Sequence, residues 1–512
     1  MAGVLANRGV QYLFGLPGGE IVAFIDACRR AGIRFLLTGH ESSAAWMAQV
    51  VGQITGVPGV CASTLGPGAT NLVTGVANAW LDRAPMLAVT AQIPGAAMET
   101  MTHQRVPLDR LFAPVTKGSF AVGSGDTTAL VERGMDLAAA PRPGPIHIAL
   151  ASDLAVQEYH AQARQGAIDL PARQPDLGPL IARLDRAARP LVLIGLGATP
   201  ACAPAIRAFI ERLQAPFLIT PKAKGIAAED YPLFAGVASG MAIDRDIVET
   251  IKSADLIVSL GFDPVECDKT WFADVDVVSI DSTSMAEGRY RPLEAIGDLA
   301  TLLGGLTPRP KPWPVELFDR RRAAIRRQPV SGLSPLRLIE ELRSVFPRDG
   351  ITTCDVGSHK LVMGQFWRSY EPGTFFMSNG LSGMGFGVPA AIAAQLCHPQ
   401  KHVMAVVGDG GMLMMLHDLV LLRELSLPVL IVVLSDGSLS LIRVSEERRG
   451  FPTYGVDFAP PDFGAIAQSF GIAGRRVSTI AEAKACAEQA LAGRASFVLD
   501  VPIDYREYYD LV

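Results

Sequence analysis

The stretch VMAVVGDGGMLMMLHDLVLLRELSLPVLIVVLSDGSLSLIR, residues 403–443, decides how the chain is read. Val403–Val407 is a short apolar run of β type. The turn Gly408-Asp409-Gly410-Gly411 follows, then an amphipathic helical stretch, then a second apolar run, Val429–Leu434, closed by Ser435-Asp436-Gly437-Ser438. This is a βαβ unit. Its two strands are parallel neighbours, so the loops at their carboxyl ends lie side by side at the sheet edge where ligands bind. Asp409 and Asp436 are therefore expected to meet. The glycines around Asp409 let backbone N–H groups approach an anion, at the start of a helix whose dipole favours negative charge. Two carboxylates facing such a loop suit a hard divalent cation that bridges protein to phosphate, because Mg²⁺ takes one or two carboxylates and completes its shell with substrate oxygens. An ordinary crossover with acidic turn residues reads the same in isolation, so spacing and context have to separate the two.

Composition sets the frame. The chain has 512 residues, 49% hydrophobic and 19% charged, with a net charge of −5. It can bury several cores, and at roughly 150–200 residues per domain its length suggests three. No apolar run approaches the roughly 18 residues that span a bilayer, and MAGVLANRGVQ has no signal-peptide core. A soluble, cytoplasmic protein with no membrane partner is expected. The seven cysteines are scattered and contain no CxxC, which points to buried thiols rather than a disulfide framework or a zinc site. Nor is there a basic block or an aromatic-basic stripe, so nucleic acid is not an expected partner.

Outward from the opening stretch, the alternation of apolar runs, glycine turns and helical segments continues in both directions. The expected fold class is α/β, with three doubly wound parallel-sheet domains: 1–160, 178–310 and 333–512. Residues 155–177 and the Pro- and Arg-rich run 307–328 read as linkers, the latter part extended and part solvated helix. In the first domain, strands are expected at Gln11–Phe14, Phe35–Leu37, Gly59–Ser63 and Pro141–Leu150. Glu41 falls just after the second of them, near a helix start, where it could be no more than a dipole partner. Gly66-Pro67-Gly68 opens a helix through a stiffened turn. The second domain places strands at Pro190–Leu196, Pro216–Thr220, Asp255–Leu260 and Asp276–Ile280. Its Gly195-Leu196-Gly197 lacks the third glycine of a dinucleotide loop, Pro200 standing there instead. The third domain begins with a helix, Ser334–Phe346, and strand Gly350–Cys354, and closes with strand Ser496–Val501.

Taken together, FGLPGGE (14–20), HESSAA (40–45), GPGATN (66–71) and the GDG turn followed 27 residues after Asp409 by Asp436 resemble the signatures of the thiamine diphosphate enzyme superfamily. The resemblance covers nearly the whole chain, as a pyrimidine module, a middle domain and a diphosphate module. It implies thiamine diphosphate and Mg²⁺ as cofactors, with the metal held by Asp409, Asp436 and the backbone carbonyl of Ser438. The usual Asn-Asn pair is replaced here by Ser435-Asp436. Cofactor contacts carried over by the resemblance are Glu41, Gly66, Ser358, His359, Met384, Gly408, Gly410, Gly411, Ser438 and Leu439. Among these, Glu41 would hydrogen-bond the aminopyrimidine, favouring the imino tautomer that takes the thiazolium proton, and Met384 would prop the cofactor in its bent form.

Within the superfamily, HQRVPLDRLF (103–112), CDVGSHK (354–360) and GVDF (455–458) are similar to flavin-independent acetolactate synthases, in which a Gln at the position of Gln104 lines the reaction pocket. GFDPVE (261–266) likewise resembles flavin-free relatives. The implied catalytic residues are Glu41 and Gln104. The implied reaction is decarboxylation of pyruvate or a related 2-oxo acid, followed by transfer of the acyl carbanion to a second carbonyl compound, in a homodimer or homotetramer with sites at the subunit interface. None of the eight histidines is adjacent to another, whereas decarboxylases of the superfamily commonly carry such a pair. A simple 2-oxo acid decarboxylase that releases an aldehyde is the alternative. A cofactor-binding or regulatory protein without turnover is the alternative from another class.

Overall fold

A strand that is apolar without alternation hides both faces only in a parallel sheet covered by helices. The computed structural model has three such sheets, each of six strands. It describes residues 1–123, 125–157, 175–239, 245–266, 274–324, 330 and 332–511. The first sheet comprises β1 Tyr12–Leu16, β2 Arg34–Leu37, β3 Gly59–Ser63, β4 Met86–Gln92, β5 Gly118–Ala121 and β6 Pro145–Ala151, in the order β2-β1-β3-β4-β6-β5. The second comprises β7 Pro190–Ile194, β8 Phe217–Ile219, β9 Phe234–Val237, β10 Leu256–Leu260, β11 Asp276–Asp281 and β12 Leu293–Ile296, in the order β12-β11-β10-β7-β8-β9. The third comprises β13 Ile351–Cys354, β14 Phe375–Met377, β15 Val403–Gly408, β16 Val429–Ser435, β17 Ala473–Arg476 and β18 Phe497–Pro502, in the order β14-β13-β15-β16-β18-β17. The three α/β sheets expected from the sequence are all present.

The first and third sheets have the same strand order, although their sequences share no clear repeat. What recurs is the alternation of buried strand, glycine turn and helix, which fixes topology without fixing residue identity. In each the winding reverses between the first and third strands, leaving a crevice at the carboxyl ends of β1 and β3 and of β13 and β15, where open α/β sheets bind ligands. The middle sheet reverses between β7 and β10.

Contacts gather the chain into two compact units that do not follow chain order. One holds the described residues of Met1–Asp169 together with Gly380–Gln400 and Met412–Val429; the other holds those of Leu170–Asn379 with Lys401–Gly411 and Leu430–Val512. In the first unit Leu13, Val60, Leu87, Val89, Ile146 and Ile148 form the core. The second unit has one core around Val192, Ile206, Phe209, Phe217 and Val258 and another around Leu338, Met363, Val406, Val432 and Leu499. Each such side chain contributes about 1.5–3 kcal/mol on burial.

The helix Glu41–Thr55 shows how local sequence places a functional residue. His40 caps it, its Nδ1 accepting from the Ser42 N–H at 3.1 Å, and Gly56 ends it with φ +73°. Small residues let the helix lie close to its neighbours: a Cβ on Gly59 of β3 would sit 1.9 Å from the Ala48 carbonyl oxygen, and one on Gly75 would sit 2.4 Å from Ala45 Cβ. That close approach fixes the amino end of the helix, and with it Glu41.

Six strands are not among those expected from sequence: β4, β5, β9, β12, β14 and β17. All except β4 lie at sheet edges and have only three or four residues, too short for periodicity to register. The Pro- and Arg-rich run is also less free than a solvated linker. Trp313 Nε1 donates to the Pro190 carbonyl at 2.6 Å, Lys311 Nζ to the Asp185 and Ala187 carbonyls, and Phe318, in the helix Phe318–Ala324, is buried against Phe234. Residues 158–174 of the first expected linker and 325–328 of the second lie outside the described residues.

Candidate active site

In the second unit the carboxyl ends of three adjacent strands, β13, β15 and β16, bring together Ser358, His359, Gly408, Asp409, Gly410, Gly411, Asp436, Ser438 and Leu439. Asp409 follows β15 directly and is only 2% exposed. Its Oδ1 accepts from the Gly410 N–H at 2.8 Å, and its Oδ2 accepts from the N–H groups of Asp436 at 3.0 Å and Gly437 at 2.8 Å. Asp436 in turn accepts from the Ser438 N–H at 3.1 Å and from the Ser440 hydroxyl. The loop is braced by GVDF: Leu439 N–H donates to the Val456 carbonyl and Phe458 N–H to the Gly437 carbonyl, both at 2.9 Å.

Carboxylates predominate here, with Arg443 the one cation that acts on Asp436 among its described neighbours. Burial raises the Asp409 carboxyl above its usual range, against the pull of its three backbone donors. Burial likewise pushes Asp436 up to about 7; the Ser440 hydrogen bond opposes this and the nearby Asp409 adds to it. A divalent cation would supply the charge that both carboxylates lack. No group of three or more His, Cys, Asp or Glu side chains among the described residues is placed to hold a metal, so a cation here would need further oxygens from a backbone carbonyl and a ligand phosphate. Three buried polar atoms nearby have no hydrogen-bond partner: Ser438 Oγ, Ser358 Oγ and His359 Nε2. Burial lowers His359 to about 4, keeping the imidazole neutral. The His359 ring lies against Gly357 and Gly408, whose Cβ atoms, if present, would come within 2.9 and 3.1 Å of it. A Cβ on Gly411 would sit 2.2 Å from Asp355 Oδ2. Glycines and the two unpartnered hydroxyls of Ser358 and Ser438 thus line a cradle into which a diphosphate fits.

In the first unit, Glu41 is 4% exposed and accepts from Asn71 Nδ2 at 3.0 Å. A Cβ on Gly68 would lie 3.2 Å from Glu41 Oε1, so the GPGATN turn covers the carboxylate with bare backbone. Gly66 caps the helix Pro67–Leu81 with φ +60°, and its own missing Cβ would sit 2.9 Å from Gln104 Cβ. Gln104 is exposed and held at φ +56°, uncommon for a residue with a side chain. One turn, residues 66–68, thus meets Gln104 at Gly66 and Glu41 at Gly68. Met384, expected to prop the cofactor in its bent form, also lies in this unit. It is half-buried, and the glycines on either side of it, Gly383 and Gly385, face Trp46, Thr74 and Met415.

Sequence reasoning passed over several residues of the site. Asn71, Asp355 and Ser440 hold or face the named ones, and each stands in or beside a motif already singled out; spacing alone gave no reason to choose them. Asp418 had no motif at all. It is fully buried in the first unit, where Ser43 Oγ donates to its Oδ2 at 2.9 Å. In the middle sheet, Leu196 N–H of the Gly195-Leu196-Gly197 loop donates to both Glu266 oxygens, at 2.6 and 3.0 Å, so a carboxylate of the chain itself sits where that loop faces the β7/β10 crevice.

Three family models match the chain in succession: thiamine pyrophosphate enzyme, N-terminal TPP binding domain, over residues 1–110; the central domain over 177–306; and the C-terminal TPP binding domain over 355–501. The chain belongs to the thiamine pyrophosphate (thiamine diphosphate) enzyme family. Within it, the chain is 30% identical to the acetolactate synthase of Bacillus subtilis, over 99% of this chain and 93% of that protein. It is 31% identical to the acetolactate synthase isozyme 2 large subunit of Escherichia coli, over 98% and 94% respectively. A probable acetolactate synthase large subunit of Methanocaldococcus jannaschii is 29% identical, over 99% and 92%. The acetolactate synthase-like membership expected from the motifs is thereby met.

Proposed function

We propose that the protein is an acetolactate synthase-like carboligase that uses thiamine diphosphate and Mg²⁺, decarboxylates pyruvate or a related 2-oxo acid, and transfers the acyl carbanion to a second carbonyl compound. The observation that carries the reading is the meeting of Asp409 and Asp436, through the Asp436 N–H, in a glycine cradle at the β13/β15 crevice. Asp409, Asp436 and the Ser438 carbonyl hold Mg²⁺. The Gly411 N–H and the hydroxyls of Ser358 and Ser438 receive the diphosphate, with His359, Gly408, Gly410 and Leu439 shaping its walls. Glu41 hydrogen-bonds the aminopyrimidine from a site almost closed to water, Gly66 gives the ring room, Met384 supports the bent cofactor, and Gln104 lines the substrate pocket. Bound thiamine diphosphate supplies the electron sink that decarboxylation needs; the chain supplies orientation, a shielded carboxyl and exclusion of water.

We further infer a homodimer or homotetramer in which a second copy completes each site. Leu413, Met414 and Val420 support this, each more than a third exposed although large and apolar. The six described cysteines are free, which suits a reducing, cytoplasmic compartment, and no described helix is long and apolar enough to cross a membrane. The test is to incubate the purified protein with thiamine diphosphate, Mg²⁺ and pyruvate and to identify products. A ligation product supports the proposal. Free acetaldehyde as sole product would replace it with a decarboxylase, and no turnover with any 2-oxo acid of a panel would leave a binding protein.

A further inference from the structure

The middle sheet carries a second concavity, at the opposite end from its switch-point crevice. A cavity of about 530 Å³ opens at the amino ends of β11 and β12. Its size lies within the range of roughly 300–1,000 Å³ usual for small-molecule sites. Four charged side chains line it: Arg183 from the helix Gly178–Arg186, Asp276 at the first position of β11, and Arg289 and Arg291 from the loop that enters β12. Arg183 and Asp276 form an ion pair. That leaves two positive charges in excess, on a chain whose net charge is −5.

The loop that presents Arg289 and Arg291 is built to hold its shape. Glu287 and Tyr290 exchange both backbone hydrogen bonds, at 3.0 and 2.8 Å, closing a two-residue turn at Gly288-Arg289, with Gly288 at φ +55°. The Tyr290 ring anchors the turn: it is 1% exposed and packs edge-on against Phe262, centroids 6.0 Å apart. The Glu294 carboxylate staples the other limb, accepting from the N–H groups of Met285 at 2.6 Å and Ala286 at 3.1 Å. Arg291 Nη1 donates to the Tyr290 carbonyl at 3.1 Å, and Pro292 stiffens the exit into β12. Arg289, by contrast, makes no hydrogen bond or ion pair among the described residues.

We propose that this cavity is a binding site for a small organic phosphate. Guanidinium forks pair bidentately with phosphate oxygens. Two arginines with a single residue between them on a stapled turn, neither in an ion pair among the described residues, match two charges gathered on one phosphate group better than charges spread along a chain. The assignment does not depend on the carboligase reading, because none of these residues belongs to the cofactor cradle.

The test uses the full-length protein saturated with thiamine diphosphate and Mg²⁺, so that the diphosphate loop is not open to the probe. Glycerol 3-phosphate and, separately, malonate are titrated by calorimetry at low ionic strength. Saturable binding of glycerol 3-phosphate is expected, weakened at least tenfold in Arg289→Ala and lost in Arg289→Ala/Arg291→Ala, while both variants keep the parent's melting temperature and turnover. Arg289→Lys should recover part of the loss. No saturable binding would overturn the proposal, as would equal affinity in the parent and the double variant. Malonate binding as tight as that of glycerol 3-phosphate would overturn the phosphate assignment.

Discussion

The backbone N–H of Asp436 donates to Asp409 Oδ2 at 3.0 Å, so one loop of the βαβ unit is hydrogen-bonded directly to the acidic residue of the other. Gly437 adds a second N–H to the same oxygen at 2.8 Å, and Gly410 holds Oδ1 at 2.8 Å. The two carboxylates therefore differ in kind. Asp409 is locked by main chain from both sides, whereas Asp436 is held through a hydroxyl, that of Ser440, and one N–H.

From this asymmetry Asp409→Ala should abolish Mg²⁺-dependent binding of thiamine diphosphate, weakening it a hundredfold or more. Asp436→Asn should keep the affinity within about tenfold, because an amide retains the ligating oxygen and the Ser440 contact while shedding a charge that repels diphosphate. Calorimetry at fixed Mg²⁺, repeated with a chelator, measures both. Complete loss of binding in Asp436→Asn would remove the support for the two-carboxylate site.

Glu41→Gln separates binding from chemistry. The amide still accepts from Asn71 and suits the same closed space, so fold and cofactor binding should persist. It cannot exchange a proton with a ring nitrogen, and general acid–base assistance accounts for about 10²–10⁴ in rate. Turnover of pyruvate should fall by at least a hundredfold, with the calorimetric affinity for thiamine diphosphate changed far less. A variant as active as the parent would show that Glu41 is only a helix-end carboxylate.

How much of this the sequence disclosed depends on where each residue gets its information. Asp409 and Asp436 are predictable because a βαβ unit makes two strand ends neighbours, whatever else the chain does. Glu41 and Gly66 stand at strand ends too. Gln104 could be placed beside Gly66 only by knowing that the segment after β4 returns to the turn from which the helix Pro67–Leu81 starts. Met384 stands between Gly383 and Gly385, which face Trp46 and Met415; which residues surround that turn is a tertiary matter that the motif does not encode. The interior β4 is the exception to the edge-strand rule, since Met86–Val89 is an apolar run whose signal was available in the sequence.

Lys224 and Glu229 form an ion pair at 2.8 Å with both side chains wholly buried. Lys224 Nζ also donates to the Gly364 carbonyl at 3.1 Å, and Glu229 accepts from the Ser369 N–H at 3.2 Å, tying the middle sheet's segment to the helix Ser358–Phe366 and the turn after it. Removing one partner strands the other charge in a dry site, which costs about 3–5 kcal/mol. Lys224→Met should destabilise by that amount in chemical denaturation, and Lys224→Met/Glu229→Gln by clearly less. Additive losses in the double variant would mean the two charges do not depend on each other.

Asp418 makes stability depend on pH, with a definite sign. Its side chain is fully buried, accepts from Ser43 Oγ at 2.9 Å, and leaves Oδ1 without a hydrogen bond, 3.4 Å from His417 Nε2. Burial pushes the carboxyl up to about 7, only partly offset by the Ser43 bond, and burial lowers His417, so no cation faces it from that side. In the unfolded chain an Asp loses its proton near pH 4. Between about pH 4 and 7 the native state therefore holds a proton that the unfolded state has released, and stability must fall as pH rises through that window, levelling above it. Asp418→Asn is nearly isosteric and neutral throughout, and its amide can serve both Ser43 and the vacant side. It should flatten the decline, matching the parent at pH 4 and exceeding it at pH 8 by up to about 4 kcal/mol, about 1.4 kcal/mol for each unit between the unfolded and native values. Denaturant midpoints at pH 4, 6 and 8 read this directly. Parallel curves for parent and variant would mean that Asp418 is not the group that titrates, and the Ser43 contact would then be a hydrogen bond to a carboxylate ionised across the whole range.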